Sequence, residues 1–269
     1  MKRRTLLSVG ASGLLAAFFG LAAPASANES VIAQIKAAKT IKVGVGTFVP
    51  WSFPNKDGKL IGFEVDVANR LADDLGVKLE LVPTAWDAII PSLVAGKYDV
   101  IIGGLTITEE RAKTVDFTIP YEHSLTYAVV NKKVAPDITT ADQLNAPTVT
   151  FANRRGASAS SAKYFPKSQS LSFDDENTQE QEFLNGNVTA LTVSTPTQAL
   201  LAEDHPDIVR IIEPPIAQTN EAFALRKGDP DSLAAFNDWI KKHTDDGWLQ
   251  QRFDYWFKGR SWKDQVASK

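Results

Sequence analysis

The 269-residue sequence contains no cysteine and only one methionine. Without cysteine no disulfide can form, so the packing of a core must hold the fold together. A cysteine nucleophile is excluded, and so is a lipid attached to an N-terminal cysteine. Nor does the sequence contain the G-x-S-x-G pattern of many hydrolases. The common nucleophilic enzyme classes are therefore poorly supported.

The sequence also lacks an excess of charge of one sign. Its 29 lysines and arginines nearly balance 32 aspartates and glutamates, for a formal net charge of −3. This balance gives no electrostatic reason to expect nucleic acid or an anionic membrane as a partner. The three histidines, His123, His205 and His243, are not spaced as metal ligands. We expect neither a metal nor a cofactor.

The first 27 residues predict a cleaved export signal. A basic start, "MKRR", precedes an apolar run, and "PASA" has the small-x-small pattern of a cleavage site after Ala27. A membrane anchor is the alternative, but serines and glycines interrupt the run and no stop-transfer charges follow it. The arginine pair leaves both the general and the twin-arginine routes open. We expect a periplasmic protein without a stable membrane anchor.

The remaining chain is long enough for two lobes and has the 43% hydrophobic content of a globular protein. Strand and helix patterns alternate from "TIKVGVG" to "YDVIIGG" and again from "PTVTFAN" to "IVRII", which predicts two α/β units with parallel strands. The segment "WDAIIPSLVAG" predicts a helix kinked at Pro91 and closed by Gly96. The extended segment "SLTYAVVNKK" joins the units. The predicted organisation is lobe 1 at 28–123 and 220–269, and lobe 2 at 124–219.

The C-terminal part of the chain is predicted to be helical. Asp229 caps a first helix, and "GWLQQRFDYWF" forms a second. The aromatic residues of the second helix predict packing against lobe 1 rather than a ligand site.

This ordered series resembles the amino-acid-type (family 3) solute-binding proteins of ABC importers. The resemblance is carried by the stretch from "IKVGVGTFVPWSF" to "TVDFTIPY", then by "PTVTFANRRGASASSAKYFP" and "EAFALRKGDPDSLAAFNDWI". It implies a type II periplasmic binding protein fold, with two α/β lobes of parallel-core sheets flanked by helices and joined by two hinge strands. It also implies capture of a small carboxylate ligand (an amino acid, a derivative, an opine or an organic acid) for an ABC permease. We expect a monomer.

The segment "GGLTITEER" follows a predicted buried strand, where ligands of open α/β sheets bind. By resemblance, Thr106 and Arg111 hold the ligand carboxylate, since a guanidinium can grip a carboxylate with two hydrogen bonds. Gly104 allows the backbone to approach the ligand closely. The structural alternative is an arginine paired with a neighbouring acid, namely Glu109, Glu110 or Asp116.

Two aromatic residues, Phe48 and Trp86, match the family positions that sandwich the body of the ligand. A structural role in covering the core is the alternative, and it is the better interpretation for Trp51 and Phe53. In lobe 2, "NRRGASAS" matches a loop and helix start whose backbone N–H groups complete the carboxylate site. Its candidates are Gly156, Ala157 and Ser158.

Two positions depart from the family pattern. The acids that commonly hold the ligand's ammonium group are replaced by Val45 and Ser194. Arg154 or Arg155 adds positive charge beside the cleft, unless that pair is an exposed turn. Three outcomes are open: another acid replaces the lost pair, the ligand's amine is substituted or absent, or the ligand is a dicarboxylate. The sequence favours the last two, and the replacement acids considered are Glu64, Asp87, Glu122 and Glu221.

An enzyme on the same fold is the competing function. Cyclohexadienyl dehydratases resemble this family and carry an "NPGGTNE" stretch in the second lobe. The corresponding "NRRGASA" keeps Asn153 and Gly156 but has Ala159 at the position of the general acid. We therefore expect a binding protein and not an enzyme.

Overall fold

The computed structural model describes residues 29–154, 161–195, 197–259 and 261–266. They form two α/β lobes, each built on a five-stranded sheet. This is the fold class that the sequence predicted. Within the described residues, no helix has both the length and the apolar character needed to cross a membrane.

The first part of the chain builds most of lobe 1. Its helices are α1 (Val31–Ala38), α2 (Phe63–Leu75), α3 (Ile89–Val94) and α4 (Glu109–Ala112). Its strands are β1 (Thr40–Val45), β2 (Phe53–Pro54), β3 (Leu60–Ile61), β4 (Lys78–Pro83), β5 (Val100–Ile101) and β6 (Val115–Phe117). β2 and β3 form a separate small hairpin, while β1 pairs in parallel with both β4 and β5.

Lobe 2 follows without interruption. Its strands are β7 (Glu122–Asn131), β8 (Thr150–Arg154), β9 (Gln169–Phe173), β10 (Ala190–Ser194) and β11 (Val209–Glu221). Its helices are α5 (Ala141–Leu144), α6 (Ser161–Tyr164), α7 (Glu176–Leu184) and α8 (Thr197–Asp204). The chain then returns to lobe 1 through β12 (Ala224–Arg226), α9 (Pro230–Asp245) and α10 (Trp248–Phe253).

The two sheets have the same strand arrangement. The order is β4-β1-β5-β12-β6 in lobe 1 and β9-β8-β10-β7-β11 in lobe 2. In each sheet the first three strands run parallel and the fourth runs antiparallel to the third. Because parallel strands end at the same edge, loops that carry polar residues collect at one edge of each sheet, where the lobes face one another.

The hinge is formed by β7 and β11, which pair antiparallel from Glu122 opposite Glu221 to Asn131 opposite Val209. The register shifts between Ile212 and Ala217, and both strands continue from one lobe toward the other. The predicted lobe boundaries at residues 123/124 and 219/220 fall inside these two strands.

The helix predicted from Trp86 to Gly96 is α-helical only from Ile89, which lies before Pro91. A 3-10 turn, Trp86–Ala88, precedes α3, and Pro91 lies in the first turn of that helix. A first-turn residue needs no intrahelical N–H acceptor, so proline is accommodated there. Gly96 does follow the helix, with a left-handed φ of +72°.

Candidate functional site

A cleft between the lobes brings together side chains from distant parts of the sequence. Lobe 1, lobe 2 and the hinge strands all contribute to its walls. Seven of the ten predicted site residues line it: Phe48, Trp86, Gly104, Thr106, Arg111, Arg154 and Ser194. The other three, Gly156, Ala157 and Ser158, lie outside the described residues, as does Ala159.

Arg111 is positioned by the short helix α4. The hydroxyl oxygen of Thr108 caps this helix by accepting from the backbone N–H of Arg111 at 3.2 Å. The guanidinium Nη1 donates to the backbone oxygen of Thr106 at 2.9 Å, which directs the side chain along the cleft wall. Burial, and next the positive charge of Arg154, lower the pKa of Arg111 to about 10. A carboxylate placed beside this partly desolvated cation would compensate for the lost hydration.

The alternative role for Arg111 is an ion pair with Glu109, Glu110 or Asp116, and the structure argues against the pair with Asp116. Asp116 accepts hydrogen bonds from Lys227 Nζ at 3.3 Å and from the backbone N–H of Gly228 at 2.9 Å. Its carboxylate is therefore used to join β6 to the turn after β12.

Arg154, at the end of β8, reaches from lobe 2 onto lobe 1. Its guanidinium carbon lies 4.3 Å from the ring centroid of Trp86 and 5.0 Å from that of Phe48. Its Nη1 lies 3.4 Å from Glu176 Oε2. Burial lowers the pKa of Arg154. These contacts make Arg154 the cation that connects the two walls of the cleft.

The two predicted aromatic residues meet edge to face. The centroids of Phe48 and Trp86 are 6.1 Å apart with an interplanar angle of 90°. A Cβ added at Gly46 would lie 2.9 Å from the Trp86 ring, so glycine at that position lets the indole lie against the end of β1. The guanidinium of Arg154 covers both rings, where the resemblance implied the body of a ligand.

Gly104 has a more specific role than close approach alone. Its φ of +64° is left-handed, and its backbone N–H donates to the Tyr121 hydroxyl at 3.0 Å. The same hydroxyl donates to Glu64 Oε1 at 2.6 Å. Gly104 thereby joins the predicted carboxylate-binding loop to the start of the hinge strand β7.

Three carboxylates that lie far apart in the sequence meet at this junction: Glu64, Glu122 and Glu221. They are buried, with exposed fractions of 0%, 7% and 4%. Burial is the first cause of a pKa of about 8 for Glu64 and of raised pKa values for Glu122 and Glu221. Their mutual repulsion raises the pKa values of Glu64 and Glu122 further. Sequence reasoning named these acids singly and missed the cluster, because nothing in their spacing connects them.

The two positions that depart from the family pattern differ in the structure. Val45 is completely buried in the core of lobe 1, whereas Ser194 ends β10 and lines the cleft. Trp51 belongs to the lobe 1 core, as expected, and also borders the cleft. Among the described residues, no group of three or more histidine, aspartate or glutamate side chains is arranged to hold a metal ion.

Residues 41–259 match the family described as bacterial extracellular solute-binding proteins, family 3. The chain belongs to this family. The family assignment agrees with the resemblance drawn from the sequence and with the two-lobe fold.

The alignments with known proteins extend over most of the chain. The L-cystine-binding protein TcyJ of Escherichia coli (strain K12) is 34% identical over 256 residues, which are 95% of each chain. The crystal structure of the ancestral amino acid-binding protein AncCDT-1, a precursor of cyclohexadienyl dehydratase, is 35% identical and covers 85% of this chain and 100% of its own, with a TM-score of 0.79. The cyclohexadienyl dehydratase of Pseudomonas aeruginosa is 27% identical over 238 residues, 87% of this chain and 88% of its own.

Proposed function

We propose that this protein is the exported receptor of an amino-acid-type ABC importer, and that it captures a small carboxylate ligand between its lobes. The observation that carries this proposal is the pair of arginines near the Trp86 ring, Arg111 from lobe 1 and Arg154 from lobe 2. Their guanidinium carbons lie 6.0 Å and 4.3 Å from the Trp86 ring centroid. Two partly desolvated cations from opposite walls suit an anionic group that bridges the lobes.

The comparisons support an amino-acid type of ligand. Two relatives that align with 95% and 85% of the chain are named as binding proteins, one for L-cystine and one for amino acids. An amino acid or a close derivative supplies the carboxylate for Arg111 and a side chain to pack near Phe48 and Trp86. The ligand then passes to a permease, and the receptor acts as a monomer.

A dehydratase activity is the alternative, because one relative is a cyclohexadienyl dehydratase. Our proposal excludes it on the sequence, which has Ala159 where that enzyme family carries its general acid. We expect purified protein to leave prephenate and arogenate unchanged. Catalysed loss of either compound would contradict the proposal.

Ligand binding is tested by a thermal-shift screen of the twenty common L-amino acids, L-cystine, opines and small organic acids. A ligand present at one hundred times its Kd should stabilise the folded state by about 2.7 kcal/mol. Calorimetric titration then measures the Kd of each hit. If no carboxylate compound shifts the unfolding midpoint, the proposal fails.

Export is proposed to remove residues 1–27. Expression of the full chain in a bacterial host should give a periplasmic protein whose measured mass corresponds to a chain that starts at Asn28. A protein that keeps residues 1–27 and fractionates with membranes would show that the segment is an anchor.

A further inference from the structure

We propose that Glu221 binds the ammonium group of the ligand, an inference that rests on the proposed function and names its ligand class. The ligand is then an amino acid with a free α-ammonium. Glu221 takes over the role of the acids that are absent at Val45 and Ser194.

Glu221 has one carboxylate oxygen in use and one available. Its Oε1 accepts from the Thr219 hydroxyl at 2.7 Å, and the Thr106 hydroxyl lies 3.4 Å from the same oxygen. Its Oε2 is buried and has no hydrogen-bond partner among the described residues. A buried carboxylate oxygen without a donor is unfavourable, and an ammonium group supplies both the donor and the opposite charge.

The position of Glu221 distinguishes it from the other acids considered. Glu64 and Glu122 also have an unpartnered Oε2, but only Glu221 of the three borders the cleft. Asp87 is exposed in the 3-10 turn and does not line the cleft either. Among these acids, Glu221 is therefore the one that a ligand between the lobes reaches.

The carboxylate and ammonium sites lie on either side of one residue, Thr106. Its backbone oxygen accepts from Arg111, and its hydroxyl is directed to Glu221. Backbone hydrogen bonds fix this arrangement, from Ile107 N to Asn220 O at 2.9 Å and from Ala222 N to Leu105 O at 3.1 Å. An α-amino acid carries its two charges on one carbon, so it matches this short separation of positive and negative groups.

This inference reverses the preference drawn from the sequence, which favoured a ligand with a substituted amine or a second carboxylate. Burial raises the pKa of Glu221, so bringing a cation to it stabilises the ionised form. Arg154 remains available to the carboxylate end, beside Arg111.

The test compares each amino acid that binds with its desamino analogue, in which hydrogen replaces the ammonium group. The probes are the twenty common L-amino acids and L-cystine, with calorimetry on the tightest pair. We expect wild type to bind the amino acid more tightly than the analogue. Glu221→Gln should lower the affinity for the amino acid by about 30-fold or more. The same substitution should change the affinity for the analogue by less than about threefold.

Glu122→Gln is the matched control, because Glu122 lies opposite Glu221 in the hinge but does not border the cleft. It should leave the ratio of the two affinities unchanged. If Glu221 has a purely structural role, Glu221→Gln should lower the affinity for both compounds equally. That result would overturn the inference. Should Glu221→Gln fail to fold, Glu221→Asp provides the second test, since a shorter carboxylate should weaken only the amino acid.

Further outcomes separate this inference from the proposed function. If the desamino analogue binds wild type as tightly as the amino acid and Arg111→Ala abolishes both, the receptor function stands and the role of Glu221 is wrong. If only an opine or an organic acid without a free ammonium binds, the receptor function stands and the inference fails; if no carboxylate compound binds, both fail together.

Discussion

Lobe 1 and lobe 2 share a strand order, but their cores differ. In lobe 1 the C-terminal segment contributes Trp239, Trp256 and Phe257 to a large cluster rich in aromatic residues, in which Phe257 packs against Trp51 and Phe63. A smaller lobe 1 cluster lies around Trp86 and Tyr98. Lobe 2 has two smaller clusters, largely aliphatic, on the two faces of its sheet. All six tryptophans of the chain lie in lobe 1, and none occurs between residues 124 and 219.

The walls of the cleft differ in the same way. Lobe 1 presents Trp86, which belongs to its smaller cluster, together with Thr106 and Arg111, and lobe 2 presents Arg154 at a strand end. From this difference we expect lobe 1 to hold the ligand first and lobe 2 to contribute the group that closes over it.

Truncation of one buried phenylalanine in each core should destabilise the lobes separately. Phe63→Ala and Phe183→Ala each remove a side chain that is at most 1% exposed, and each should cost about 3–5 kcal/mol of unfolding free energy. Urea unfolding monitored by tryptophan emission reports lobe 1, whereas far-ultraviolet circular dichroism reports both lobes. We expect Phe63→Ala to lower the urea midpoint measured by tryptophan emission. Phe183→Ala should leave that midpoint unchanged and lower the midpoint of the part of the dichroism change that comes from lobe 2. Equal shifts in both signals for both variants would show that the lobes unfold as one unit.

Removing either arginine should weaken ligand binding, and removing Arg111 should have the larger effect. Arg111→Ala leaves a carboxylate desolvated and unpaired and should cost about 2–5 kcal/mol of binding free energy, about thirty- to several-thousand-fold in Kd. Arg154→Ala should cost less, about 1–2 kcal/mol, because Glu176 already shares its charge and its ring contacts are cation–π in character. Calorimetry on the tightest amino acid measures both.

Arg111→Lys is the control for geometry, since it keeps the charge and loses the planar fork. An Arg111→Ala protein that folds normally and binds within threefold of wild type would make Arg111 structural.

The pH dependence of stability should carry the signature of Glu64. Its pKa is raised from 4.5 to about 8 in the folded state, so the folded protein binds more protons than the unfolded chain between these values. The free energy of unfolding therefore falls as pH rises from about 4.5 to about 8, by about 1–4 kcal/mol from this group. The charged and titratable neighbours are Tyr121, Glu122 and Glu221, and the last two have shifts in the same direction.

Chemical unfolding of wild type and Glu64→Gln across this pH range isolates the effect. The variant should show a flatter profile. Glu80→Gln is the matched control, because Glu80 is exposed and its contact with Lys42 is a surface pair. The prediction would be contradicted if the free energy of unfolding of wild type fell no more than that of Glu64→Gln as the pH rises to 8.

The smallest expected effect is on overall dimensions. Because the chain crosses between the lobes in β7 and β11, ligand binding should bring the lobes together and reduce the radius of gyration. Small-angle scattering with and without saturating ligand measures this change. An unchanged radius would indicate a fixed, preformed cleft.

The sequence carries much of the fold and part of the site. Alternating strand and helix patterns are local, so the two α/β units and the C-terminal helices could be predicted from neighbouring residues. Arg111 and Trp86 were found because they follow strands within recognisable stretches. The junction of Glu64, Glu122 and Glu221 could not be found, since the contact depends on how β7, β11 and α2 meet in three dimensions. For the same reason, nothing in "NRRG" indicated which arginine would cover Trp86.

The stacking of Arg154 on Trp86 gives the protein a built-in optical reporter. The fluorophore belongs to one lobe and the cation that covers it belongs to the other, at 4.3 Å. Separating the lobes should uncover this indole; Trp51 also borders the cleft, and the other tryptophans lie elsewhere in lobe 1. The difference in emission between wild type and Trp86→Phe should therefore follow the opening of the cleft. Capture and release can be timed in a stopped-flow instrument without attaching a dye.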